Sequence, residues 1–180
     1  MTQSYETVDG EMARAAGIMA PLRWAPAVLM FHTYGTPAPQ GSKKGFGLKG
    51  SNRVRIVDSN ASTLAPWRET VKNGAVKAMG SPLMLDEPLQ VELHFTMPKP
   101  ASAPKTRRIF PRRKPDIDKL IRAILDSLTD AGAFHDDSQV ISLIAAKHFP
   151  IEDEGALSAP GVMIMVRQLD TVSQMGARLR

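Results

Sequence analysis

Residues 115–149 read PDIDKLIRAILDSLTDAGAFHDDSQVISLIAAKHF, and this stretch decides the fold. Leu120, Ile121, Ile124, Leu125 and Leu128 recur at helical spacing and mark one apolar stripe. Asp116 stands just ahead of that helix, where a carboxylate can cap the first turn, and Gly132 supplies the stop. After a turn through Asp136 and Asp137, residues 140–149 are almost all apolar. That run predicts a strand buried on both faces, returning beside the helix through a short connection. A helix followed by such a strand is a piece of an α/β (α+β) domain.

Working outward, residues 89–97 alternate Leu89, Val91, Leu93 and Phe95 with Gln90, Glu92 and His94, the period of a strand. Residues 62–79 read as a second helix with Leu64, Trp67, Val71, Ala75 and Ala78 inward; Pro66 falls in its first turn and Gly80 ends it. Trp67 fits that core better than a base-stacking role. Residues 27–34 form a strand, GTPAPQGSKKGFG follows as a loop, and residues 53–57 form another strand, so these two strands predict a hairpin around a basic, glycine-rich loop. A last strand covers residues 162–166. The expected organisation is a leader over 1–26, one domain over 27–169 with a mobile loop at 98–114, and a frayed tail over 170–180.

The chain has 180 residues, no cysteine and a formal charge of +5. One domain with a real core fits that length. Thiolate metal sites, disulfides and cysteine nucleophiles are excluded. No apolar run reaches the roughly 20 residues that span a bilayer. Charge is segregated along the chain. Residues 41–55 carry +5 with no acid, residues 98–114 carry +7 with no acid, residues 115–137 carry −4, and the remainder −3. Lys43 and Lys44 belong to the first block; Lys99, Lys105, Arg107, Arg108, Arg112, Arg113 and Lys114 make the second. Two polycationic loops suit a polyanion, which the acidic block repels unless a cation neutralises it.

Asp116, Asp118, Asp136 and Asp137 supply hard oxygen ligands, and no paired histidine accompanies them, which describes a Mg²⁺ or Mn²⁺ site. Phosphodiester hydrolysis is the chemistry that fits, with Arg122 stabilising charge on the reacting phosphate. Asp118, Arg122 and Asp126 share one flank of the helix. The helix is about 20 Å long, so Asp136 and Asp137 join Asp116 and Asp118 only if the fold brings the start of the strand to the first helical turn. Plainer readings stand beside this one: Asp116 as a cap, Asp136–Asp137 as a turn, Asp126 and Asp130 as surface carboxylates, and the basic loop as a solvated linker. His32, His94 and His148 read as structural, and His135 is a weak candidate beside the acidic pair.

The stretch PDIDKLIRAILDSLTDAGAFHDDSQV resembles the signature of the RusA family of Holliday-junction resolvases. An Asp-x-Asp opens a helix, a basic residue follows one turn later, and an Asp-Asp pair follows the helix end. The segment GTPAPQGSKKG is similar to the family's N-terminal part. The resemblance implies a homodimeric α/β fold, a single RusA-like domain with a mixed sheet and two main helices. It implies Mg²⁺-dependent paired nicking of four-way DNA junctions in recombination and repair, with Mn²⁺ able to substitute. Asp116, Asp118 and Asp137 are then the catalytic, metal-binding carboxylates, with Asp136 an alternate ligand and Arg122 on the scissile phosphate. Lys43, Lys44, Lys105, Arg107, Arg108, Arg112, Arg113, Lys114 and Lys119 hold the DNA. The family usually has Lys in place of Arg122 and Asn in place of Lys119. A bacterial cytoplasm is implied, in a cell or a phage-infected one, and no membrane. Two rival functions are a non-catalytic nucleic-acid-binding protein and a metal-dependent nuclease acting on forks or flaps.

Overall fold

The computed structural model describes residues 22–41, 43–47, 54–58, 61–104 and 106–170, with backbone alone for 43–47, 54–58 and 61. Strands β1 (Leu29–Tyr34), β2 (Lys43–Gly47) and β3 (Val54–Asp58) precede helix α1 (Ala61–Met79). Strand β4 (Leu89–Thr96), helix α2 (Ile117–Asp130), and strands β5 (Val140–His148) and β6 (Gly161–Gln168) follow. A mixed four-stranded sheet runs in the order β1-β6-β4-β5. The β4–β5 pair is parallel, while β1–β6 and β4–β6 are antiparallel.

Alternation in β4 does what its period demands. Leu89, Val91, Leu93 and Phe95 are all at 0% exposure. The apolar stripes of α1 and α2 pack over that face: Leu64, Trp67, Val71 and Ala75 from one, Leu120, Ala123, Ile124 and Leu128 from the other. Each fully buried side chain of this size contributes about 1.5–3 kcal/mol. Helix α1 approaches β1 closely at Gly74, where an added Cβ would stand 3.0 Å from Phe31. Gly80 and Gly132 end the helices with φ of +73° and +74°, as expected of residues without a Cβ penalty.

Several expectations are corrected. Residues 43–47 are a strand, not loop, and the hairpin joins β2 to β3, while β1 pairs with β6. The Gly-rich composition concealed a pairing that the backbone makes regardless. Helix α1 begins at Ala61, so Pro66 sits in its second turn, and Ala78 is exposed. Strand β5 is not buried on both faces. It is the sheet's edge, with Ile141 at 54%, Leu143 at 42% and Ile144 at 47% exposure. The end of the expected leader is tied down: Trp24 bridges to Leu169, and Ala25 N–H donates to the Gln168 carbonyl at 2.9 Å. The expected tail starts one residue early, since Asp170 N–H bonds to the Arg23 carbonyl at 2.8 Å. Residues 1–21 and 171–180 lie outside the described residues.

Candidate active site at the start of helix α2

The inward stripe of α2 fixes what faces out. With Leu120, Ile124 and Leu128 buried, Asp118 and Arg122 are exposed. Asp116 occupies the cap position yet its side chain makes no capping hydrogen bond. Its nearest cation is Lys119 Nζ, 3.7 Å from Oδ2, and the Asp116 side chain is about half exposed. So the plain reading of Asp116 as a side-chain cap fails; its carboxylate meets Lys119, and the exposed Asp118 beside it makes no ion pair among the described residues. The other half of the helix is occupied structurally. Arg68 of α1 pairs with Asp126 at 3.4 Å and with Asp130 at 2.6 Å.

Lys147, which the sequence reading passed over, positions this end. Its ammonium donates to the carbonyls of Arg113 and Pro115, each at 3.0 Å. Gln40 N–H donates to the Lys119 carbonyl at 2.9 Å. Both grips act on backbone, so the start of α2 is held against the end of β5 and the loop after β1. The sequence signal was a lone lysine in an otherwise apolar strand.

Asp136 and Asp137 lie elsewhere. Asp136 caps the short 3₁₀ turn Asp137–Gln139, accepting from Ser138 N–H at 2.9 Å while Gln139 Oε1 accepts from the Asp136 N–H at 3.0 Å. The Ser138 bonds hold its carboxyl below the usual carboxylate range. Asp136 thus does the work of a turn residue, as the plainer reading had it. Asp137 is exposed. The turn sits at the Leu89 end of the sheet, since Val140 pairs with Leu89 and Gln139 Nε2 donates to the Leu85 carbonyl. Asp116 sits at the opposite end, beside Lys147. Fourteen helical residues separate the two ends by about 20 Å. Among the described residues no three Asp, Glu or His side chains converge to hold a metal ion. A three-carboxylate site built from Asp116, Asp118 and Asp137 of one chain therefore does not fit.

Around the helix start the cations divide into two sets. Arg107, Arg112, Arg113 and Lys114 are exposed and make no ion pair among the described residues. Lys99 and Arg108 are already paired, with Glu152 and Asp153. Lys105 lies outside the described residues, and Lys43 and Lys44 are placed only as backbone positions of β2. Phe110 was not singled out from the sequence. It is 63% exposed within the basic loop, with the Arg108 guanidinium 4.8 Å from its ring centre. A hollow of about 770 Å³ bordered by Trp67, Lys114, Asp116 and Lys119 opens beside the carboxylates. His135 is exposed, and among the described residues only its backbone N–H has a partner, Gln139 Oε1 at 3.0 Å.

No helix among the described residues is long and apolar enough to cross a membrane. The family model described as Endodeoxyribonuclease RusA matches residues 35–167. No curated protein matches the chain.

Proposed function

The chain belongs to the RusA endodeoxyribonuclease family, Holliday-junction-resolving enzymes, and from that premise we propose that it cuts four-way DNA junctions as a Mg²⁺-dependent homodimer in recombination and repair. One observation carries the assignment of the site: Asp116 and Asp118 stand exposed at a helix start, Asp116 making no capping bond and meeting only Lys119, directly after a loop whose Arg107, Arg112, Arg113 and Lys114 are exposed and make no ion pair among the described residues. The third carboxylate comes from a second copy. An edge strand exposing Ile141, Leu143 and Ile144 is an aggregation hazard unless something covers it. Antiparallel pairing of two β5 strands across a two-fold axis covers both edges at once. It also sets the start of one β5 against the end of the other. Asp137 of the partner subunit then arrives where Lys147 holds residues 113–115, beside Asp116 and Asp118.

In this dimer the three carboxylates are the residues that hold the cation, and Mn²⁺ substitutes for Mg²⁺. The bound cation supplies positive charge beside the phosphate and an acidified water. Arg122, one turn on from Asp118, holds a non-bridging oxygen of the scissile phosphate, a task suited to a guanidinium that stays charged. Lys119 balances Asp116 and adds a backbone contact. Lys43, Lys44, Lys105, Arg107, Arg112, Arg113 and Lys114 grip the phosphates of the arms, and Arg108 does so from its place on Asp153. The enzyme works in a bacterial cytoplasm, in a host or a phage-infected cell.

The test is cleavage of a synthetic four-way junction with Mg²⁺ by the native protein and by Asp116→Asn. Symmetric paired nicks by the native protein alone support the reading. Equal cleavage by both proteins, or preferential cutting of forks or flaps, overturns it.

A further inference from the structure

His94 and His148 are far apart in sequence and meet because β4 and β5 pair in parallel. His148 lies opposite Thr96, so both histidines project from the sheet face turned away from the helices. Their rings stack at 5.4 Å between centres, with His94 Nδ1 3.2 Å from His148 Nε2. The outer nitrogens meet carboxylates: His94 Nε2 is 2.8 Å from Glu92 Oε1, and His148 Nδ1 is 3.2 Å from Asp153 Oδ2. Each carboxylate has its own arginine. Arg167 donates to Glu92 at 2.8 Å, and Arg108 of the basic loop donates to Asp153. Bonds from His94 and Arg167 hold Glu92 below the usual carboxylate range, and bonds from Arg108 and His148 do the same for Asp153. Both carboxylates are therefore acceptors only.

A proton count follows. The run Glu92, His94, His148, Asp153 has three contacts, and each needs one N–H. Two neutral imidazoles carry two. Water cannot complete the set at His94 Nδ1, because Gly155 packs there so closely that a Cβ would stand 2.7 Å from that nitrogen. We propose that His94 and His148 share one additional proton and act as positioning residues for the DNA-gripping basic loop. The line of force runs from the pair through Asp153 to Arg108, whose guanidinium lies on Phe110; the Lys99–Glu152 pair ties the same two loops beside it. When the shared proton passes to solvent, two nitrogen lone pairs face each other across 3.2 Å. The rings part, Asp153 moves with His148, and the loop loses its anchor. The charged groups facing the pair are Glu92 of β4, Arg167 of β6, Glu152 and Asp153 of the β5–β6 loop, and Lys99 and Arg108 of the basic loop; each carboxylate among them is already matched by an arginine or lysine.

The proposal rests on the nuclease reading only for its DNA readout, so two measurements on the full-length protein keep them apart. Proton NMR of the free protein counts protected imidazole N–H signals: three from this pair at the acid end of the folded range, falling to two at its alkaline end as the shared proton leaves. Hydrogen exchange of residues 106–113, corrected for intrinsic rate, accelerates over the same range. Affinity for an uncleaved four-way junction without Mg²⁺ falls about fivefold, the equivalent of one hydrogen bond to the loop. In His94→Gln/His148→Gln, and in His148→Gln alone should the double variant not fold, exchange and affinity are flat with pH. Two signals at both pH values, or a pH dependence that survives in the variants, overturns the proposal. Absence of junction binding at any pH counts against the nuclease reading, while the signal count and exchange still judge the relay.

Discussion

Two inactive variants should restore each other. In Asp116→Asn every active site lacks its own helix-start carboxylate, and in Asp137→Asn every site lacks the one lent by its neighbour. If the site is shared, a mixed dimer gathers both substitutions in one site and leaves the other intact. Random assortment makes about half of the dimers mixed. Each has one working site of two, so total nicking returns to about a quarter of the native rate from near zero. Paired cuts do not return, because no dimer has two working sites. The assay is a supercoiled plasmid bearing an extruded cruciform: native protein linearises it, and the co-expressed variants convert it to nicked circles alone. A complementary mixture sharpens the test. Native protein with the doubly substituted chain retains about a quarter of the nicking if the site is shared and about half if each chain is self-sufficient. A shared site is required because α2, 14 residues long, holds Asp116 and Asp137 of one chain at opposite ends of the sheet. No recovery from the two variants, or half-activity from the second mixture, would refute it.

Other expectations are simpler to check. Leu143→Lys places a charge on the exposed edge of β5 and should convert the dimer to a monomer by light scattering, with junction cleavage lost. Asp136→Ala should lower the melting temperature, because the Ser138 N–H loses its capping acceptor, while cleavage stays within about threefold of native. Replacing Arg107, Arg112, Arg113 and Lys114 by Gln should reduce the salt dependence of junction binding by roughly 3.5 in log–log slope, if each neutralises one phosphate. Acid should destabilise the fold through Glu92, Asp136 and Asp153. Each is held below its ordinary range in the folded state, so its contribution is complete above about pH 4.5 and lost as pH falls through the lowered values; melting temperature against pH reads this directly.

Strands with a face to bury were legible in the sequence, and so was the apolar stripe of α2. Strand β4 alternates because one face meets the helices, and Leu120, Ile124 and Leu128 recur because one side of α2 is inside. The same helical wheel set Asp118 and Arg122 on one flank of the helix, and both are exposed. What periodicity could not show was the outer limit of the sheet. Residues 140–149 look fully buried, but Ile141, Leu143 and Ile144 are exposed, because a strand's apolar content does not say whether its neighbour belongs to the same chain. Nor could local spacing place Asp137, which depends on where a whole helix and strand end. The histidines read as structural because no short spacing joins them; a parallel pairing of β4 with β5, across the 43 positions between Thr96 and Val140, does. Part of the +7 of the basic loop is also offset within the chain, since IEDEG supplies Glu152 and Asp153 to Lys99 and Arg108.

Every described residue that ties down the basic loop's charged side chains or the backbone at its end by way of the sheet stands later in the chain: Lys147, Glu152 and Asp153. A ribosome delivers the chain from its N-terminus, so the seven positive charges emerge some thirty residues before their anchors. Until residues 147–153 are made, those charges lack the partners that hold them in the folded protein. The order of synthesis thus puts the loop's charge ahead of the contacts that give it a geometry.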